Sequence, residues 1–136
     1  MSGYEILEHT ADVGLRAHAS TATSLFEQTT RGLCDIAGIW QHGSGRPVEI
    51  DVEARDREGV LVDWLNEVLY VHDSGNVAVC SVEVDEASEE RARGRITVRP
   101  LGEEAETAIQ VKAVTYHQLE VRETPSGWSA TVFFDI

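Results

Sequence analysis

Lysine occurs once in the 136 residues, at position 112, beside ten arginines. Cysteine is nearly as scarce. Cys34 and Cys80 have no CxxC spacing and lie in apolar stretches, so they read as reduced, buried thiols of a cytosolic protein, not as a disulfide pair or a zinc site. No apolar run approaches the roughly 18 residues that a membrane span requires, and no charged segment followed by an apolar stretch opens the chain. The expectation is a soluble, cytoplasmic protein with no membrane partner. The strong catalytic signatures are missing as well: there is no Gly-rich phosphate loop, no GxSxG elbow and no HExxH helix. A self-sufficient enzyme is therefore disfavoured. Positive charge is short overall, with 24 acidic residues against 11 Lys and Arg and a net charge of -13. Such a surface repels phosphate backbones, so direct nucleic-acid binding is not expected, whereas a basic protein or a cation suits it. Acidity also serves plain solubility, and charge alone does not choose between these roles.

What is present is enough for one domain over residues 1–136, long enough to bury a core without disulfides. Alternation of apolar and polar residues predicts strands over 4–9 and 13–19, with Asp12 in the turn between them. Ser20 or Thr21 offers an N-cap, and Leu25, Phe26, Thr29, Leu33, Ile36 and Ala37 recur at helical spacing up to Gly38. Residues 48–52 alternate as a half-buried strand. From Val60, apolar residues at 60, 61, 64, 65, 68 and 69 share one helical face until Asp73-Ser74-Gly75. Residues 77–84 and 93–99 read as a hairpin joined by a charged, solvated loop, 101–107 as a loop, and 109–122 and 128–134 as two strands about the turn Pro125-Ser126-Gly127. Strands outnumber helices and are joined mostly by short turns. The fold class that follows is α+β: a two-layer domain, a mostly antiparallel sheet packed on one face by two main helices.

Three polar groups could carry chemistry. The first holds His9 and Asp12, the second runs Lys112-Ala113-Val114-Thr115-Tyr116-His117, and the third is Phe133-Phe134-Asp135-Ile136. In the third, the Asp135 side chain stands beside the α-carboxylate of Ile136. Adjacent anions repel unless they are exposed or neutralised, and oxygen-only ligation is what a hard cation such as Ca²⁺ or Mg²⁺ selects. Asp12 would add a third carboxylate if its strand lay near the C-terminal one, which spacing alone does not establish; a solvated chain end is the plainer reading. His9 and His117 are equally at home as hydrogen-bonded structural residues, and Lys112 as a solvated charge.

Taken together, these segments resemble the archease family. Glu8-His9-Thr10-Ala11-Asp12-Val13-Gly14-Leu15-Arg16 looks like its opening motif and Trp64-Leu65-Asn66-Glu67-Val68-Leu69-Tyr70 like its central helix. Lys112 to His117 is similar to its late strand, and Val132-Phe133-Phe134-Asp135-Ile136 to its ending. The motifs occur in the family's order along the whole chain, while residues 85–107 match nothing in it and Ala19 replaces a frequent Gly. The resemblance implies a metal site at Asp12, Asp135 and Ile136, the last through a backbone or terminal oxygen. The expected ion is divalent, Ca²⁺ in vitro, with Mg²⁺ or Mn²⁺ as alternatives. It also implies a protein that is not itself an enzyme: an activator of the RtcB-type RNA ligase of tRNA splicing and RNA repair, promoting guanylylation of the ligase's histidine and multiple turnover. His9, Lys112 and His117 would support the site or touch the ligase. Two other classes stay open, a stand-alone metal-dependent hydrolase using His9 or His117, and a general chaperone or adaptor.

Overall fold

The structure is a computed structural model that describes residues 2–8, 12–102 and 110–136. Its elements in chain order are β1 (Gly3–Glu8), β2 (Asp12–Ala19), α1 (Ala22–Ala37), β3 (Arg46–Glu53), α2 (Arg57–Gly75), β4 (Val77–Ala87), β5 (Arg91–Pro100), β6 (Ala113–Thr124) and β7 (Gly127–Asp135). The expected α+β class holds, and every strand pairing within the sheets is antiparallel. The strands are divided between two sheets, one of four strands in the order β1-β2-β7-β6 and one of three in the order β3-β5-β4.

Local chemistry sets the helix ends. Thr21 caps α1 by accepting the Ser24 N–H at 3.1 Å, and Gly38 closes it at φ 70°, a left-handed conformation that glycine adopts without a Cβ penalty. Helix α2 begins three residues before the apolar stripe, because Asp56 accepts the Gly59 N–H at 2.7 Å and so starts the helix at Arg57. Helix α1 packs on β2 and also meets β4, while α2 packs against β3, β5 and the outer strand β6, so one core runs between the two sheets. Trp64 is fully buried at its centre, and its indole N–H donates to Thr30 Oγ1 at 2.9 Å. That hydroxyl donates in turn to the Phe26 carbonyl at 2.6 Å, so the polar end of a large apolar side chain is satisfied inside the core.

Two expectations are corrected. The charged stretch 85–92 is largely strand: β4 continues to Ala87 and β5 resumes at Arg91. Charges on the solvent face pair across the strands there, so polarity marked an exposed face and not a loop. At the other end, β6 begins at Ala113, so Lys112 precedes the strand. The loop expected over 101–107 lies outside the described residues from position 103 onward.

Candidate functional site

Asp12 opens β2 and Asp135 closes β7, and the antiparallel register sets them directly opposite each other. Directly opposed residues present their side chains to the same face, with Cβ atoms about 5 Å apart. The alternation along β2 identifies that face. Val13, Leu15, Ala17 and Ala19 are buried against the helices, so Asp12 and Gly14 turn the other way, as do Asp135 and Phe133. Asp12 is half-buried and Asp135 exposed. Among the described residues neither carboxylate has an ion pair or a side-chain hydrogen bond. Two anions thus stand opposed without an ion-pair partner among the described residues.

Below the acid pair the outer face has an apolar floor. Phe133 is only 3% exposed although it points away from the helices. Its ring lies over Gly14, where a Cβ would meet it at 2.6 Å, so a side chain at position 14 would displace the ring. The other cover comes from β6, whose ladder with β7 breaks between Thr115 and Glu120. Gln118 takes a positive φ of 51° in this break, and the His117 ring stands edge-on to Phe133 at 5.9 Å. Irregularities of this kind re-aim side chains beside functional sites. His117 therefore belongs to the floor of the site.

Lys112 reaches the site through its backbone. Its N–H donates to the Asp135 carbonyl at 2.8 Å, while its ammonium forms no ion pair among the described residues. Ile136 follows Asp135 directly and is 37% exposed. His9 lies outside the described residues. The arrangement thus brings Asp12, Asp135, Ile136 and the backbone of Lys112 to one corner of the four-stranded sheet and sets His117 one step below.

The donor set suits a hard divalent cation in part. Two carboxylates on one face, with a backbone oxygen of Ile136 next to one of them, are oxygen donors of the kind Ca²⁺, Mg²⁺ and Mn²⁺ prefer. No group of three or more His, Cys, Asp or Glu side chains able to hold a metal occurs among the described residues, and of these residues only backbone oxygens add to the two carboxylates. Neither cysteine is near this corner. Cys34 is fully buried in α1, where burial pushes its thiol up to about 12 and keeps it an unreactive core group.

Sequence reasoning missed two contributors. Asn66 looks like part of the solvated face of α2, yet its side-chain oxygen accepts the Val114 N–H of β6 at 3.2 Å. Phe133, beside an equally apolar Phe134, gives no sign that the two rings bury on opposite faces; the strand's two-residue period was the available signal.

A two-sheet α+β protein with an uncompensated acid pair at the corner of its larger sheet is the class that fold and site define. Comparison with known proteins gives that class its family. The model of the Archease protein family (MTH1598/TM1083) matches residues 4–136, and the chain belongs to this family. It is 35% identical to the protein named archease from Methanosarcina barkeri, over 98% of this chain and 95% of that one. It is 31% identical to the archease of Pyrococcus furiosus, with both chains covered in full. The solution structure of Methanobacterium thermoautotrophicum protein 1598 superposes with a TM-score of 0.76 at 28% identity, covering 98% of this chain and 99% of that one.

Proposed function

We propose that this protein is a non-enzymatic cofactor of an RNA-splicing ligase of the RtcB type, acting in the cytoplasm through a divalent cation held at Asp12, Asp135 and an oxygen of Ile136. The observation that carries the reading is the pair of carboxylates facing each other across β2 and β7, neither of which has an ion pair among the described residues. Like charges directly opposed on a sheet are destabilising, and a bound cation turns that cost into binding energy. When bound, the cation supplies positive charge of the kind that stabilises phosphoryl-transfer chemistry.

The chain's own part is to present and orient these oxygens. Asp135 is the last residue of a central strand, held on one side by β2 and on the other by the Lys112 N–H and the start of β6. The apolar floor of the Phe133 ring over Gly14 limits water on one side of the carboxylates. A net charge of -13 complements the basic surface of a partner that handles RNA, and it keeps this protein off the RNA itself.

The test is GTP-dependent guanylylation of the host ligase under limiting metal, with wild-type protein and with Asp12→Ala and Asp135→Ala. The expected result is stimulation by the wild type that is lost in both variants while their thermal unfolding stays cooperative. No stimulation by folded wild-type protein rejects the ligase role. Full stimulation by both variants removes the acid pair from it.

A further inference from the structure

We propose that Asn66 is a positioning residue of the acid-pair site, holding Asp135 in place from helix α2 by way of strand β6. The inference rests on the reading of that site given above and adds a residue that does not touch it.

Helix α2 turns Val60, Leu61, Trp64, Leu65 and Val68 into the core, and Asn66 lies beside the polar Asp63 and Glu67, in a helix interior that Asn is poor at forming. Its side chain explains the choice. In an antiparallel strand successive N–H groups point to alternate edges, and β6 has a neighbouring strand on one edge only. The Val114 N–H finds its acceptor in Asn66 Oδ1 at 3.2 Å. Among the described residues this is the one hydrogen bond from an α2 side chain to the four-stranded sheet.

Its location gives that bond its consequence. Next to the site, β6 pairs with β7 only through Ala113, Val114 and Thr115 before the ladder breaks, and on the other side the chain is anchored at Val111, which is buried in the core. Ala113 of this block and Lys112 just before it make two contacts on the open side of Asp135: the pairing of Ala113 with it and the Lys112 N–H on its carbonyl. Thr115 Oγ1 adds a second tie by donating to the Phe133 carbonyl at 3.2 Å. Asn66 thus tethers the three-residue block that sets where Asp135 stands relative to Asp12. Groups that orient metal ligands from outside the shell typically alter affinity by 10- to 100-fold.

The experiment measures Mn²⁺ binding by electron paramagnetic resonance, together with amide hydrogen exchange, in wild type, Asn66→Ala and Asn66→Asp. Asp keeps the acceptor oxygen and serves as the conservative variant. Measurements are made well below the unfolding midpoint of each protein. The expected result is a loss of about tenfold or more in Mn²⁺ affinity in Asn66→Ala, faster exchange at Val114 and Lys112 but not at Trp64 or Leu65, and recovery of both in Asn66→Asp. Wild-type Mn²⁺ affinity in Asn66→Ala overturns the positioning role and leaves the acid-pair site standing. Lost affinity with unchanged exchange at Val114 and Lys112 overturns the route through β6. Absence of Mn²⁺ binding by the wild type overturns the site itself, and the role of Asn66 with it.

Discussion

Both sheets pair exposed acids with arginines, Glu5 with Arg16 and Glu120 with Arg122 on the larger one, but one acid pair of the larger sheet is left out of this pattern. On the three-stranded sheet, the central strand β5 presents Arg91, Arg93 and Arg95 between the acids of β3 and β4. Arg91 makes two hydrogen bonds to Asp51, at 2.9 and 2.6 Å, and Arg95 pairs with Glu49, Glu83 and Asp85. Arg93 reaches Glu86 at 4.0 Å. Each arginine there has at least one carboxylate partner, an arrangement that satisfies local charge. On the four-stranded sheet, Asp12 faces Asp135, and among the described residues neither has an ion pair. The chain has arginine to spend on compensating acids and places none at this corner. An uncompensated pair in a protein that elsewhere interleaves its charges is the better candidate for a binding site.

Phe133→Ala removes a buried ring from the outer face, and the expected loss is about 3 kcal/mol in urea unfolding, in the range of large-to-small aromatic truncations. A loss no greater than that of Arg93→Ala would mean that the two outer faces are equally solvated and that the floor does not exist. Asp135→Asn tests the charges themselves and should change sign with conditions. Without divalent metal it relieves a like-charge contact and stabilises the fold by a few tenths of a kcal/mol. With Ca²⁺ at about one hundred times its Kd, the wild type should gain about 2.7 kcal/mol and the variant almost nothing. Calorimetric melts in chelator and in Ca²⁺ read both effects, and equal Ca²⁺ responses would dismiss Asp135 as a ligand.

The sequence revealed the parts of this molecule that obey a period. Both helices, the Thr21 cap and the core position of Trp64 follow from apolar spacing and local hydrogen bonding. The division into two sheets did not, because strand pairing is long-range and no residue of β3 announces that β5 rather than β2 is its neighbour. The stretch 85–92 misled for a related reason: charges that interleave across strands look, along one strand, like a solvated loop. The resemblance grouped Asp12 with Asp135 and Ile136, and the register that opposes the two carboxylates required the fold. Asn66 stayed hidden because an exposed-looking polar residue on a helix carries no mark of the backbone N–H it accepts from a strand 48 residues away.

The smallest expected effect comes from the compensated face and has the opposite pH logic to a repelling pair. Arg91's hydrogen bonds to Asp51 hold that carboxyl below its ordinary 3.8. An acid whose pKa is lowered by folding stabilises the native state above its unfolded value and loses that contribution as the pH falls through the lowered one. Asp51→Asn should therefore be slightly less stable than wild type at pH 6 to 7, with the gap closing as the pH drops below 3.8, where the wild-type carboxyl takes up its proton. Both groups are at the surface and screened, so the gap should also shrink in high salt. Urea midpoints of the two proteins between pH 2.5 and 7, at low and high NaCl, measure it. A gap that persists unchanged into acid would show that Asp51 contributes by packing and not by charge, and the contrast between a compensated and an uncompensated face would then rest on Asp12 and Asp135 alone.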